Sequence, residues 1–309
     1  MVRHIVSVTD LSAIELRKVF WRATEYKKQR YDVLTDRIVS LLFYQPSTRT
    51  IDSFDAAAKR LGAGVLKMPE MKNYSSEVKG EVLEDTILTE ACYADCIVLR
   101  HDRSGAAARA AAVSPVPIIN AGDGNNEHPT QAYIDLYTIW RFMERRRLPS
   151  SPRILFFGDN NQSRTVRSLT KLLVSYGAEL QIHPQQLCYY GPEGAGVPPP
   201  DVQDQVLNSG ITHSFDLSRP PNFRDFDLVY VTRAQDEYRV TGGEKKITNV
   251  LVFTEEMKNQ LPKNAIIMHP FPRNDELPRS IDADPRAGYF IQMQNGLFVR
   301  MALLEFLLI

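Results

Sequence analysis

The chain has 309 residues, and its 37 Lys and Arg balance its 37 Asp and Glu, so the formal net charge is zero. That length exceeds the usual size of one hydrophobic core, so we expect two domains. A neutral chain has no basic field to gather nucleic acid or an anionic membrane surface, so any anion must be bound by a local site. The apolar runs are too short to span a bilayer, and the N-terminus lacks the long apolar core of a signal peptide. We therefore expect a cytoplasmic protein without nucleic-acid or membrane partners.

Short apolar runs rich in β-branched residues alternate with segments of helical period. This alternation predicts an α/β fold of two doubly wound domains, each with a mainly parallel sheet flanked by helices. The predicted strands are 38–43, 64–68, 96–99 and 117–119 in the first half, and 154–157, 180–182, 228–231 and 266–268 in the second.

The first predicted helix covers about 11–29, with Asp10 as its N-cap. The side chains expected on its inward face are Leu11, Ile14, Leu16 and Phe20. The next helix covers about 51–61 and ends at Gly62, which suits a left-handed C-cap.

A long helix is predicted over about 128–147, where three arginines at its end suit the helix dipole. Residues 148–152, rich in proline and serine, then break it. Because a strand and a new βαβ rhythm follow directly, we place the domain boundary near residue 150.

Three cysteines, Cys92, Cys96 and Cys188, form no CxxC pattern with histidines. Dispersed thiols of odd number predict reduced and mostly buried side chains. These cysteines therefore support no metal site, and no cofactor is expected for the chain.

Ser47, Thr48, Arg49 and Thr50 follow a predicted buried strand and open a helix. Hydroxyl, backbone N–H and guanidinium groups at a helix N-terminus bind phosphate well. Taken alone, such a segment is more often an ordinary N-cap beside a solvated arginine, so the rest of the chain must decide.

A turn-rich segment, 120–131, leads from a strand into a helix that begins near Pro129. His128 and Gln131 are three residues apart, so both can point from one helical edge toward a small ligand. A histidine that only caps or packs explains this segment equally well.

Two further cations occur in the first half. Arg100 ends a predicted strand, where open α/β sheets place their ligands. Lys79 follows Ser75 in a polar loop and could supply a point charge to an anion. Each of these side chains, taken alone, is more often a solvated charge.

In the second half, Arg164 lies at a strand-to-helix turn, and Arg233 and Gln235 follow another strand. Two arginines suit a dicarboxylate, because each can hold one carboxylate in a bidentate fork. The proline-bounded segment 269–273 has carbonyl groups that could accept hydrogen bonds from an amine or amide.

Together and in this order, these segments resemble the aspartate/ornithine carbamoyltransferase family, and specifically its aspartate branch, over about residues 40–300. The resemblance implies transfer of the carbamoyl group of carbamoyl phosphate to L-aspartate, a step of pyrimidine biosynthesis. It also implies a C-terminal helix, about 288–309, that packs back on a carbamoyl-phosphate-binding domain of 1–150, with 151–287 binding aspartate.

The resemblance implies a role for each matching residue. The phosphate would be bound by Ser47, Thr48, Arg49 and Thr50, the carbamoyl oxygen by Thr50, Arg100 and His128, and the carbamoyl amide by Gln131 and the Pro270 carbonyl. Aspartate would be bound by Arg164, Arg233, Gln235 and the Phe271 carbonyl. Ser75 and Lys79 would reach into a neighbouring subunit's site, which implies a homotrimer with shared active sites. The implied catalytic residues are Arg49, Thr50, Lys79, Arg100 and His128.

Three positions depart from the family pattern, and one of them is Val78, which replaces one of two lysines found in some members. Gln45 stands where the family commonly has glutamate, and Tyr238 where it commonly has arginine. In the family, the residues at those two positions pair across the domains in the closed state. Domain closure in this chain is therefore expected to depend on other contacts, and the hypothesis is that Arg239 makes them.

Three alternatives remain open on the sequence. A carbamoyltransferase for another amino acid is disfavoured by Arg164 and Arg233, because an ornithine-type site would need groups for a cationic side chain. A catalytically silent scaffold would be expected to lose the anion-binding residues, and none is lost. A dinucleotide-dependent dehydrogenase is disfavoured because 157–159 lacks GxGxxG. Whether a regulatory chain or a dihydroorotase attaches is left open.

Overall fold

The computed structural model describes residues 2–29, 31–69, 71, 80–145, 148–215, 219–236 and 250–309. They form two compact units, Met1–Ile134 with Gln294–Ile309, and Asp135–Met293. No helix in these described ranges is long and apolar enough to cross a membrane.

The first unit is built around a parallel sheet of strand order β2-β1-β3-β4. Its elements are α1 (Ala13–Tyr26), β1 (Ile38–Phe43), α2 (Thr48–Arg60), β2 (Gly64–Pro69), α3 (Leu83–Glu90), β3 (Cys96–His101), α4 (Ala106–Val113), β4 (Ile118–Asp123) and the start of α5 (Pro129–Glu144). The strand β3 is buried along its whole length, because it lies between β1 and β4 with apolar side chains on both faces.

The C-terminal helix, α9 (Tyr289–Leu308), belongs to the first unit from Gln294 onward. Its Glu305 carboxylate accepts two hydrogen bonds from Arg22 of α1, at 2.6 and 2.8 Å, and a third from the Tyr26 hydroxyl at 2.6 Å. Farther up the helix, Arg300 donates to the Ser53 hydroxyl of α2 at 2.7 Å. The prediction that the C-terminal helix packs on the first domain is therefore confirmed.

The second unit is built around a parallel sheet of order β7-β6-β5-β8-β9. Its elements are β5 (Arg153–Gly158), α6 (Arg164–Tyr176), β6 (Gln186–Tyr190), α7 (Pro200–Leu207), β7 (Thr212–Ser214), β8 (Leu228–Thr232), α8 (Glu255–Gln260) and β9 (Ile266–Met268). Rings of Phe157, Phe223 and Phe253 pack edge to face in its core. The two parallel sheets confirm the predicted α/β class.

Each sheet has one point where its strand order reverses, between β1 and β3 in the first unit and between β5 and β8 in the second. Ligands of open α/β sheets bind at the carboxyl ends of the strands that flank this point. At the second point Gly158 has a φ of +121°, and a Cβ there would overlap the Thr232 carbonyl oxygen on β8. Only glycine therefore lets β5 and β8 end so close together.

Several predicted element boundaries were wrong. The helix α1 is capped by Ser12, whose hydroxyl accepts from the Glu15 N–H, whereas Asp10 accepts from the N–H groups of Val6 and Ser7. Ile14 was expected to face inward but is 67% exposed. The helix α2 begins earlier than predicted, at Thr48, and Gly62 ends it with the expected positive φ of +86°.

The strand predicted over 180–182 was also wrong. Leu180 and Ile182 are buried in the turn that ends α6, where the Ile182 N–H donates to the Gly177 carbonyl at 2.7 Å. The actual strand is β6, followed by β7. The helix α5 ends at Glu144, and the last two of the three arginines lie outside the described residues. Cys96 and Cys188 are buried thiols as predicted, but Cys92 is exposed.

Candidate functional site

The turn between β1 and α2 carries the predicted phosphate-binding residues. Ser47 is the N-cap residue of α2, but its hydroxyl makes no capping hydrogen bond, whereas Ser12 and Ser163 both cap their helices. Thr48 and Arg49 are exposed, and Thr50 is buried. The first N–H groups of a helix have no partner within the helix, so this turn offers donors and positive potential to an anion.

Arg100 lies on β3 opposite Phe43 of β1, beside the point where the strand order reverses. Its side chain is buried, and its Nη1 donates to the Ala121 carbonyl of β4 at 3.1 Å. Its own carbonyl accepts from the Tyr44 N–H at 2.8 Å, which ties the turn after β1 to β3. The guanidinium is therefore held in place at the same sheet edge as the α2 N-terminus.

The β4–α5 loop is organised by the buried carboxylate of Asp123. It accepts hydrogen bonds from the Asn120 side chain at 3.0 Å, from the Gly105 N–H at 2.9 Å and from the Glu127 N–H at 3.2 Å. Glu127 in turn accepts from the Val8 N–H at 2.9 Å. These bonds fix the segment that leads into α5.

His128 and Gln131 lie at the start of α5, and both side chains are buried. The Gln131 N–H donates to the His128 carbonyl at 3.0 Å, and the Thr130 hydroxyl lies 3.4 Å from His128 Nδ1. The structure thus places these two residues beside each other, at the carboxyl edge of the sheet that also carries Arg100 and the turn after β1.

Five residues singled out in the sequence cannot be placed. Ser75, Val78, Lys79, Tyr238 and Arg239 lie outside the described residues. Gln45 is described, in the turn after β1.

In the second unit, Asp159 joins the turns after β5 and β8. This carboxylate is buried; its Oδ2 accepts from the Gln235 N–H at 2.9 Å and its Oδ1 from the Gln162 N–H at 3.1 Å. Next to it, the Thr232 hydroxyl donates to the Ser163 hydroxyl at 3.3 Å. The turns that carry the two predicted arginines are therefore bonded to each other.

Arg164 is the first residue of α6, and Arg233 follows β8 directly. Arg233 also lines a cavity of about 940 Å³ within the second unit, a volume in the range of small-molecule sites. The other lining residues are Ala234, Asp236, Val250, Arg273, Asn274, Asp275, Glu276, Leu277, Pro278 and Arg279.

The loop after β9 carries Pro270 and Phe271 and is held by a buried pair. His269 Nε2 lies 2.9 Å from Glu276 Oε1, and His269 Nδ1 accepts from the Phe271 N–H at 2.9 Å. Burial lowers the pKa of His269, so its ring is neutral. Burial alone would raise the pKa of Glu276, but hydrogen bonds from His269 and from the Asn274 N–H outweigh it and lower that pKa.

A second buried carboxylate, Asp135 of α5, supports the same loop and the end of β8. It accepts from the Tyr230 hydroxyl at 2.7 Å and from the Gln292 side chain at 2.6 Å. The Gln292 side-chain oxygen then accepts from the His269 N–H at 3.0 Å. Burial is the main cause that raises the pKa of Tyr230, so its hydroxyl stays protonated and donates.

Sequence reasoning did not single out Asp135, Glu276 or the contacts of Asp159. Asp159 was visible only as part of a glycine-aspartate turn, and Glu276 as one of several acidic residues after the proline-bounded segment. Among the described residues, no group of three or more His, Cys, Asp or Glu side chains could hold a metal ion.

Two family models match the chain. Residues 3–141 match the carbamoyl-P binding domain of aspartate/ornithine carbamoyltransferase, and residues 151–307 match the Asp/Orn binding domain of the same enzymes. The chain belongs to the aspartate/ornithine carbamoyltransferase family.

Similar proteins within this family are named aspartate carbamoyltransferase or aspartate transcarbamoylase. The chloroplastic aspartate carbamoyltransferase of Arabidopsis thaliana is 39% identical, over 99% of this chain and 75% of its own. The aspartate carbamoyltransferase catalytic subunit of Methanopyrus kandleri is 38% identical, over 99% of this chain and 97% of its own. A crystal structure of Trypanosoma cruzi aspartate transcarbamoylase, in complex with carbamoyl aspartate and phosphate, has a TM-score of 0.85 at 33% identity, covering 98% of this chain and 94% of that one.

Proposed function

We propose that this chain is the catalytic chain of an aspartate carbamoyltransferase, which converts carbamoyl phosphate and L-aspartate to N-carbamoyl-L-aspartate and phosphate in pyrimidine biosynthesis. The observation that carries this proposal is the pair of turns after β5 and β8, which hold Arg164 and Arg233 and are bonded through Asp159. Two guanidinium groups suit the two carboxylates of aspartate, whereas the cationic side chain of ornithine would be repelled by them.

The carbamoyl phosphate half is assigned to the first unit. In this proposal the α2 N-terminus, with Ser47, Thr48, Arg49 and Thr50, binds the phosphate, and its uncapped helix start supports that role. Arg100, His128 and Thr50 contact the carbamoyl oxygen, and Gln131 contacts the carbamoyl amide. Ser75 and Lys79 are proposed to come from a neighbouring subunit of a homotrimer.

The aspartate half is assigned to the second unit. Arg164, Arg233 and Gln235 bind the two carboxylates, and the Phe271 carbonyl faces the attacking amine. The Pro270 carbonyl accepts from the carbamoyl amide. The proposed domains are 1–150 with the C-terminal helix of about 288–309 for carbamoyl phosphate, and 151–287 for aspartate.

The proposed reaction begins when the neutral amine attacks the carbamoyl carbon and negative charge builds on the carbamoyl oxygen. In this proposal Arg100, the His128 imidazole and the Thr50 hydroxyl stabilise that charge before phosphate leaves. The departing phosphate can take the amine proton, so no protein base and no covalent enzyme intermediate are assigned.

Assembly and compartment are further parts of the proposal. A homotrimer is proposed from the family resemblance, and a regulatory chain is suggested by the name of the Methanopyrus relative, a catalytic subunit. The buried free thiols of Cys96 and Cys188 agree with a reducing compartment such as the cytoplasm. Light scattering, co-purification and fractionation would measure these three properties.

The decisive experiment supplies the purified chain with carbamoyl phosphate and either L-aspartate, L-ornithine or buffer. We expect carbamoylaspartate only with aspartate. Product with ornithine alone would overturn the roles of Arg164 and Arg233. No product with either acceptor, from folded protein at saturating substrate, would overturn the proposed activity of the chain by itself.

A further inference from the structure

The loop after β9 has a histidine whose tautomer is fixed by its neighbours. The Phe271 N–H can only donate, so His269 Nδ1, 2.9 Å away, must present a lone pair. The neutral ring then carries its proton on Nε2, which donates to Glu276 Oε1 at 2.9 Å. A proton on Nδ1 would break the bond to Phe271, so the carboxylate selects the ring form that holds the main chain.

Glu276 also closes the loop from its far end. Its Oε1 accepts from the Asn274 N–H at 2.9 Å, and its main-chain carbonyl accepts from the Phe253 N–H at 2.8 Å. The side chain is 2% exposed, and His269 is fully buried. Both residues are therefore enclosed, and the segment between them is anchored at its two ends.

The anchored segment contains Pro270 and Phe271, the carbonyl-bearing residues of the proposed site. Phe271 has a φ of +54°, a strained conformation for a non-glycine residue that persists only where neighbours enforce it. The bond from its N–H to His269 Nδ1 is one such constraint, and contacts of its ring with Tyr289 and Phe290 are others.

We propose that His269 and Glu276 are positioning residues of the transfer reaction: Glu276 fixes the His269 tautomer, and that tautomer aims the carbonyl groups of residues 270 and 271 at the substrate amine and amide. This inference rests on the proposed function, because it concerns how the same site is held. Neither side chain needs to touch a substrate, and the effect reaches the substrate through the Phe271 main chain.

Two substitutions of Glu276 separate positioning from general stability. Glu276→Gln keeps an oxygen that accepts from both His269 Nε2–H and the Asn274 N–H, whereas Glu276→Met keeps the length and removes both acceptors. We expect kcat for carbamoylaspartate formation to fall about 100-fold in Glu276→Met, with the KM for carbamoyl phosphate changed less than about 3-fold. Glu276→Gln should restore kcat to within about 3-fold of the original chain.

Asp227→Ala is the matched control in the same unit. Asp227 accepts from the Arg153 N–H at 2.9 Å at the amino end of β5, the opposite edge of the same sheet. The Asp227→Ala substitution should lower the unfolding midpoint of the chain and leave its kcat unchanged. Equal kcat in Glu276→Met and the original chain would overturn the positioning role, and so would a loss in Glu276→Gln as large as in Glu276→Met.

A second pair of variants, both at His269, tests the proposal if Glu276→Met does not fold. His269→Asn places an amide oxygen where Nδ1 accepts from Phe271, whereas His269→Leu places no acceptor there. The proposal expects at least about a 10-fold higher kcat in His269→Asn than in His269→Leu, and equal values would contradict it. If the original chain forms no aspartate-dependent product, the proposed function itself is refuted. If the original chain is active and the variants have the same kcat, only the positioning role is refuted.

Discussion

The turn after β1 and the loop after β9 are both proposed to present main-chain groups to the substrates, but they are held in opposite ways. At the turn, Ser47 leaves α2 without a side-chain cap, and Thr48 and Arg49 are exposed. At the loop, His269 and Glu276 are buried and bonded to each other.

The difference follows from the charge of the group that each segment is proposed to bind. A phosphate brings its own negative charge, so it can organise the N–H groups and cations of a helix N-terminus when it arrives. An amine brings no comparable field, so the carbonyl groups that orient it must be fixed beforehand by the protein. The following predictions test that contrast, from the largest expected effect to the smallest.

Removing the exposed cation of the turn should have the largest effect. Arg49→Ala is expected to lower kcat/KM for carbamoyl phosphate at least about 1,000-fold, because a charge-assisted contact with the leaving phosphate is lost. The unfolding midpoint and the oligomeric state should not change, since Arg49 is exposed. Arg60→Ala, in the last turn of the same helix, is the control and should keep full activity. Full activity in Arg49→Ala would remove the phosphate assignment.

Removing the buried carboxylate beneath the loop should act mainly on stability. Asp135→Ala leaves the Tyr230 hydroxyl and the Gln292 amide without their acceptor, so we expect a loss of about 3 kcal/mol in the free energy of unfolding, measured with urea. Tyr230→Phe removes one donor only and should cost about 1 kcal/mol. An Asp135→Ala chain as stable as the original would mean that this carboxylate does not support the loop.

The junction between the two arginine turns should show an intermediate effect. Asp159→Ala frees the N–H groups of Gln235 and Gln162, so the turn after β8 loses one of its bonds to the turn after β5 and keeps the bond between the Thr232 and Ser163 hydroxyls. We expect the KM for aspartate to rise about 30-fold, with the KM for carbamoyl phosphate nearly unchanged. Parallel changes in both KM values would show instead that the substitution disturbs the fold as a whole.

Sequence alone predicted the elements whose residues carry a strong local signal. The bounds of β1 and β9 were predicted correctly because each is a run of apolar residues, interrupted in β1 by Ser40. The strand β6 was missed because three of its five residues are a cysteine and two tyrosines, and the apolar pair Leu180 and Ile182 nearby is buried in a turn. Burial without periodicity cannot separate a strand from a helix end.

The contacts that hold the site were harder to predict than the residues proposed to form it. Tyr230 and Asp135 are 95 residues apart, and nothing local to either one indicates the pairing. The tautomer of His269 likewise depends on Glu276, which only the folded loop brings within reach. The roles of the substrate-contacting residues stay predictions from resemblance, which the kinetic experiments above address.

The smallest expected effect concerns backbone strain away from the proposed chemistry. Besides Phe271, the non-glycine residue with positive φ in the described part of the chain is Gln181, at +60°. It closes the hydrogen-bonded turn after α6 with the bonding pattern of a Schellman motif, in which the Ile182 N–H donates to the Gly177 carbonyl and the Gln181 N–H to the Ala178 carbonyl. Glycine is favoured at that position, so Gln181→Gly should stabilise the chain by up to about 1 kcal/mol without changing kcat.

Gln181→Ala is the control, because it shortens the side chain but keeps the cost of the positive φ, and we expect almost no change in its unfolding midpoint.

Phe271→Gly should give the opposite result. It would relieve the same kind of strain, yet it removes a ring that packs 5.9 Å from Tyr289 and 5.7 Å from Phe290, and it loosens the carbonyl loop. Stabilisation with retained kcat in Phe271→Gly would mean that the strain at φ +54° serves no purpose in the loop, and the contrast between the two segments would fail.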